Sequence, residues 1–118
     1  MRDVPTGIRR YLKCMPEIIK VATLDQIRPG QLFYVDVEGL PIGLANVDGT
    51  IYAFSDSCRH AGGSLSSGVL RDDVVTCPWH GWAYSVRTGK AVVPPIGLRI
   101  ATYEVRIDGA DVLLVIEW

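Results

Sequence analysis

Apolar residues come in short runs broken by turn residues, and helical periodicity is weak throughout. Ile18-Ile19-Lys20-Val21 reads as a first strand. Thr23–Ile27 reads as a single helical turn. Thr23 is its N-cap, and Gln26 falls three residues later, where a capping box takes Glu or Gln. Pro29-Gly30 closes the turn. Gln31–Val37 is rich in β-branched and aromatic residues, and Glu38-Gly39 turns it back. Leu40, Ile42 and Leu44 then alternate with their neighbours, the signature of a half-buried strand. Pro41 within that run indicates an edge position. Asp48-Gly49 is a two-residue hairpin signal, and Ile51–Phe54 follows as the next strand.

Further along, Asp73–Thr76, Tyr84–Val86 and Ala91–Val93 read as short strands, with Thr88-Gly89 as a turn and Pro94-Pro95 as a break. Tyr103, Val105 and Ile107 alternate with Thr102, Glu104, Arg106 and Asp108. Asp108-Gly109 begins a tight turn, and Val112–Ile116 is the last strand. The expected fold is all-β, with about eight to ten short strands at the spacing of a barrel or sandwich. Residues 1–16 are expected to form an N-terminal arm, locally basic through Arg2, Arg9, Arg10 and Lys13, and 17–118 the single folded domain. A chain of 118 residues has room for one core of useful size.

Charge and composition narrow the function. A formal net charge of −1 leaves no basic stripe for nucleic acid. No run reaches the ~18 apolar residues of a membrane span. The N-terminus lacks the apolar stretch of a secretory signal. Three cysteines, an odd number, argue against a disulfide scaffold and for a reducing cytoplasm. Cys14, far from the others, reads as a free thiol.

The remaining two cysteines stand beside the only two histidines. Cys58-Arg59-His60 is followed by sixteen residues and then Cys77-Pro78-Trp79-His80. Two thiolates and two imidazoles suit zinc or an iron–sulfur centre rather than calcium or magnesium. Zinc is the plain alternative, since two cysteines and two histidines are a common structural zinc set. The spacing speaks against it. Zinc modules of that kind pair cysteine with cysteine and histidine with histidine, whereas each knuckle here is mixed. A binuclear iron–sulfur cluster takes one cysteine and one histidine from each loop. Neutral imidazoles in place of thiolates make an added electron less costly, so such centres sit at roughly −150 to +300 mV against about −400 mV for all-cysteine plant-type ferredoxins.

The stretches Cys58-Arg59-His60-Ala61-Gly62-Gly63-Ser64-Leu65-Ser66-Ser67-Gly68 and Cys77-Pro78-Trp79-His80-Gly81-Trp82-Ala83-Tyr84 resemble the Rieske [2Fe–2S] family. The resemblance extends over Thr88-Gly89 and Pro94-Pro95, which matches the proline loop over the cluster in that family. It implies antiparallel sheets with a small cluster-binding subdomain inserted between strands, its loops spanning about 56–95. It implies one [2Fe–2S] cluster, with Cys58 and Cys77 on the inner iron and His60 and His80 on the outer, solvent-facing one. Gly62, Gly63, Gly68 and Gly81 then fit loops whose amides approach the sulfides, where positive φ and a missing Cβ are useful.

Departures from the respiratory branch of that family tune the expectation. Its loop disulfide is missing, because those positions hold Gly63 and Trp79. A serine hydroxyl two residues after the second histidine is replaced by Trp82, which lowers the potential by removing a donor. Tyr84 matches a tyrosine whose hydroxyl can donate to a cysteine sulfur and raise it. The alternative for Tyr84 is a core aromatic with its hydroxyl at water. Trp79 and Trp82 read either as a hydrophobic cover and partner contact or as loop packing. A low-to-intermediate potential is expected.

The resemblance implies a one-electron carrier of the oxygenase-associated ferredoxin branch, not an enzyme. The donor is a flavoprotein or ferredoxin reductase and the acceptor a terminal oxygenase. The chain ends before any catalytic domain of an oxygenase and has no histidine to spare for a second metal. The small subunit of a larger oxidoreductase such as nitrite reductase is the competing reading, and a zinc-stabilised interaction module the non-redox one.

Overall fold

The computed structural model describes residues 16–57, 64–79 and 81–117. Among them, ten strands form two antiparallel sheets: β1 (Pro16–Thr23), β2 (Leu32–Val37), β3 (Leu40–Val47), β4 (Thr50–Ser55), β5 (Val69–Arg71), β6 (Val74–Thr76), β7 (Ala83–Ser85), β8 (Ala91–Val93), β9 (Thr102–Asp108) and β10 (Asp111–Glu117). The larger sheet has the order β1-β10-β9-β4-β3-β2. The smaller, β5-β6-β7-β8, is an insert between β4 and β9. No helix among the described residues is long and apolar enough to cross a membrane.

Local chemistry sets the base sheet. Gln26 accepts the Thr23 N–H at 2.9 Å, the capping-box contact expected for the short turn at Leu24–Gln26. Asp48 and Gly49 both adopt positive φ, 52° and 95°, and join β3 to β4 in the two-residue hairpin their sequence calls for. Asn46 is buried but satisfied: its amide donates to the Ile27 carbonyl, and its side-chain oxygen accepts the Gly49 N–H, each at 2.7 Å.

Two expectations for β3 fail. From Ile42 to Val47 every residue is buried, so the strand is covered on both faces. Ile42 and Leu44 join the base core with Ile51, Ala53, Val112, Leu114 and Ile116. Ala45 and Val47 join a second core with Phe54, Leu65, Val75, Tyr84 and Val86. The insert is what covers the second face, and alternation in the strand alone could not announce it. Nor is β3 an edge, since it lies between β2 and β4. Pro41 is tolerated because of its register. It precedes the first β3–β4 pair, Ile42↔Ser55, and its carbonyl accepts the Asp56 N–H at 3.1 Å. The return bond, which proline cannot donate, is replaced by the Leu65 N–H, which reaches the Asp56 carbonyl at 3.3 Å.

The insert contains elements the sequence reading missed, namely β5 and a 3-10 turn at Leu65–Ser67. Its strands are three residues each, and its links to the base are specific. Arg87 pairs with Asp73 within the insert at 3.2 Å and donates to the Tyr52 hydroxyl of β4 at 2.9 Å.

Candidate metal centre

Cys77 stands where β6 runs into the second loop. Its side chain is 1 % exposed and packs in the second core, the cluster that also holds Leu65, Val75 and Tyr84. It is a free thiol. Its N–H donates to the Trp82 carbonyl at 2.6 Å, and its carbonyl accepts the Gly81 N–H at 3.1 Å. The loop is thus pinned at both ends, and Gly81 at φ +75° supplies the left-handed residue the return needs. Pro78 and Trp79 project outward, with Trp79 62 % exposed. Trp82 is half-buried against the second core. The two tryptophans therefore divide: Trp82 packs the loop and Trp79 presents itself to solvent.

The first loop is fixed from its flanks. Ser57 and Ser64 form an isolated antiparallel bridge, and Leu65 beyond it is fully buried. Gly68 then passes over Thr76, the residue before Cys77. A Cβ on Gly68 would lie 1.9 Å from the Thr76 carbonyl oxygen. Its φ is −91°, so close approach, not positive φ, demands glycine there. That contact brings the exit of the first loop against the entrance of the second.

Of the expected site residues, Cys58, His60, Gly62, Gly63 and His80 lie outside the described residues, as does Cys14. Among the described residues no group of three or more His, Cys, Asp or Glu gathers as a metal set. Tyr84 is fully buried in the second core beside β6, which excludes a hydroxyl at water. No buried side-chain nitrogen or oxygen among the described residues lacks a hydrogen-bond partner. Pro94 is half-buried and Pro95 exposed. Val93 pairs with Ala83, so the proline segment runs on beside the second loop. Val92, Val93 and Ile96 are exposed there.

Sequence reasoning passed over Asp56. Its carboxylate is buried at the end of β4, two residues before Cys58. The hint was a single acid between Ser55 and Ser57 with Ser64 and Ser66 after the loop, residues quoted above only as part of a motif.

The donor chemistry fits an iron–sulfur group: a buried soft sulfur, free of any disulfide, on a pinned turn against which the first loop's exit is packed. The chain matches the Rieske [2Fe-2S] domain over residues 17–104. It belongs to the Rieske [2Fe–2S] family. It is 37% identical over 100 residues to the ferredoxin component of biphenyl 2,3-dioxygenase from Rhodococcus jostii (strain RHA1), covering 85% of this chain and 94% of that protein. The solved ferredoxin of carbazole 1,9a-dioxygenase from Nocardioides aromaticivorans IC177 superposes with a TM-score of 0.77 at 34% identity, covering 82% of this chain and 95% of that one. A chain in a solved complex of reduced oxygenase and oxidized ferredoxin of carbazole 1,9a-dioxygenase gives 0.78 at 33% identity, covering 82% and 91%. The Rieske fold, with one Rieske cluster and an electron-carrier rather than catalytic role, follows for this chain.

Proposed function

We propose that this Rieske protein takes single electrons from a flavoprotein or ferredoxin reductase and delivers them to a terminal oxygenase, in the cytoplasm. Cys58 and Cys77 hold one iron of the cluster, and His60 and His80 the other. The observation that carries the reading is the second loop. A free, buried Cys77 thiol sits at the root of a turn whose tip, Pro78-Trp79, is open to a partner. When bound, the cluster supplies a site that gains and loses one electron.

The chain's own residues do the rest. The Cys77 bonds to Trp82 and Gly81 hold the sulfur in place, so little rearrangement accompanies a change of charge. Leu65, Tyr84 and the half-buried Trp82 keep water from the sulfur side. Tyr84 offers a donor to a cysteine sulfur. Trp79, Val93 and Ile96 are exposed apolar side chains on and near this loop. Apolar and aromatic side chains of this kind carry transient docking, and an exposed tryptophan is the natural anchor.

The test is reconstitution with the reductase and terminal oxygenase of a biphenyl 2,3-dioxygenase system. Oxygenase turnover should depend on added holoprotein. Cys58→Ala, His60→Ala, Cys77→Ala and His80→Ala should each remove the Rieske visible and EPR spectrum and the transfer with it. Any one of them retaining both would remove that residue from the ligand set. Turnover indifferent to the holoprotein would exclude the carrier role in that system.

A further inference from the structure

Asp56 is an unusual residue for the core of this protein. It is 3 % exposed and forms no ion pair with a Lys or Arg among the described residues. A buried carboxylate in that position is tolerated only when hydrogen bonds replace its hydration. Among the described residues three do so, and all come from the far side of the first loop. Its Oδ1 accepts the Ser66 N–H at 2.6 Å, and its Oδ2 accepts the Ser64 hydroxyl at 2.6 Å and the Ser66 hydroxyl at 2.9 Å. Its backbone works in the same direction. The Asp56 N–H donates to Pro41 and so anchors the residue to β3, while its carbonyl accepts the Leu65 N–H.

The neighbours make room for this arrangement. A Cβ on Gly43 would fall 3.0 Å from Asp56 Oδ1 and 2.5 Å from the Phe54 ring. Bare backbone at Gly43 therefore lets the carboxylate and Phe54 lie against β3. Pro41 leaves the Asp56 carbonyl free for Leu65, as described above. Two residues of β3 thus serve Asp56: Pro41 meets its backbone and Gly43 makes room for its side chain.

We infer that Asp56 is the positioning residue of the first ligand loop: it ties the strand end before Cys58 to the turn after Gly63, and so fixes where Cys58 and His60 stand. The inference rests on the reading of those two residues as ligands. Its chemistry suits a charged carboxylate best. All three groups that converge on Asp56 donate, and only a carboxylate accepts at both oxygens. An amide of the same shape can keep the Ser66 N–H on its oxygen, but its NH₂ forces both serine hydroxyls to turn round and accept, and the charge that strengthens all three bonds is lost.

The experiment uses the holoprotein. Asp56→Asn, Ser64→Ala and Ser66→Ala are compared with wild type and with Ile116→Val, a core change in the base sheet. Three quantities are read: the rate at which visible absorption bleaches under an iron chelator, the EPR line shape of the reduced protein, and the melting temperature. Losing a hydrogen bond to a charged acceptor is worth about tenfold or more in an equilibrium. Asp56→Asn should therefore bleach about tenfold faster or more, with altered EPR anisotropy. Ser64→Ala and Ser66→Ala, which each remove one hydroxyl donor and keep the carboxylate, should show the same changes on a smaller scale. Ile116→Val should lower the melting temperature and leave bleaching and EPR as in wild type.

Wild-type bleaching and line shape in Asp56→Asn would overturn the inference. So would equal effects in Ile116→Val, which would mean only general destabilisation. Should Asp56→Asn fail to fold, the two serine variants decide alone: wild-type behaviour in both overturns it. Cys58→Ala and His60→Ala run in parallel separate the two readings. If those retain the cluster, the ligand assignment fails. If those lose it while the Asp56 and serine variants match wild type, the clamp alone fails.

Discussion

The base sheet and the insert are held together by different means. Strands of the base run six to eight residues and bury one continuous apolar cluster, Ile42, Leu44, Ile51, Val112, Leu114 and Ile116 among others. Its geometry follows from alternation and two-residue turns. The insert's strands are only three residues long. It is shaped instead by individual contacts: Gly68 over Thr76, Asp56 to Ser64 and Ser66, Cys77 to Trp82, and Arg87 to Tyr52. The base tolerates loss as a core does, by degrees. The insert depends on single atoms.

Substitutions can separate the two regimes. The largest effect on stability belongs to the base. Leu114→Ala removes a fully buried side chain and should cost about 2–5 kcal/mol. Chemical denaturation should show that loss, while the visible and EPR spectra of the folded holoprotein stay as in wild type. A changed spectrum would mean that the two regions are not separable.

Gly68→Ala should come next in stability, at the upper end of the ~1–3 kcal/mol typical of overpacking, because the new methyl meets a backbone carbonyl that cannot step aside. Here the cluster should suffer first. Iron content falls, while the base sheet keeps its far-UV circular dichroism. A holoprotein with full iron would refute the role given to the Gly68–Thr76 contact.

Tyr84→Phe deletes one buried hydroxyl and should cost on the order of 1 kcal/mol. Its informative readout is the potential, which should fall on redox titration if the hydroxyl donates to a cysteine sulfur. An unchanged potential would leave the tyrosine as core packing only.

The smallest stability change belongs to Trp79→Ala, which should stay within about 0.5 kcal/mol because the ring lies on the surface. Electron delivery to the oxygenase should nevertheless slow by tenfold or more, about 1.4 kcal/mol or more, as expected for an aromatic anchor. Wild-type transfer by this variant would move the docking surface elsewhere.

The contrast also explains what could be read in advance. The Thr23–Gln26 turn, the Asp48-Gly49 hairpin and the alternation of Tyr103 and Val105 are local signals, and the structure follows them. Pro41 misled because its meaning depends on Leu65, a residue distant in sequence that supplies the missing donor. The double burial of β3 depends on the insert, which no pattern within β3 contains. Strand β5 was missed because it turns back through Asp72 at φ +54°, an acid followed by another acid where the other tight turns carry glycine. For the metal centre, donor type and spacing in the sequence point to the two Cys–His pairs, of which only Cys77 lies among the described residues. The carboxylate that braces the first loop was not legible, because Asp56 in sequence is one acid among serines and only burial gives it a task.

The central claim is that two mixed Cys–His loops on this scaffold hold a Rieske cluster. The most direct measurement is iron and sulfide analysis of the purified protein, combined with EPR after reduction. The account predicts a red-brown protein with two irons and two sulfides per chain, and an average g-value below that of all-cysteine clusters. A colourless protein carrying a single zinc ion, or a reduced spectrum matching an all-cysteine cluster, would contradict it.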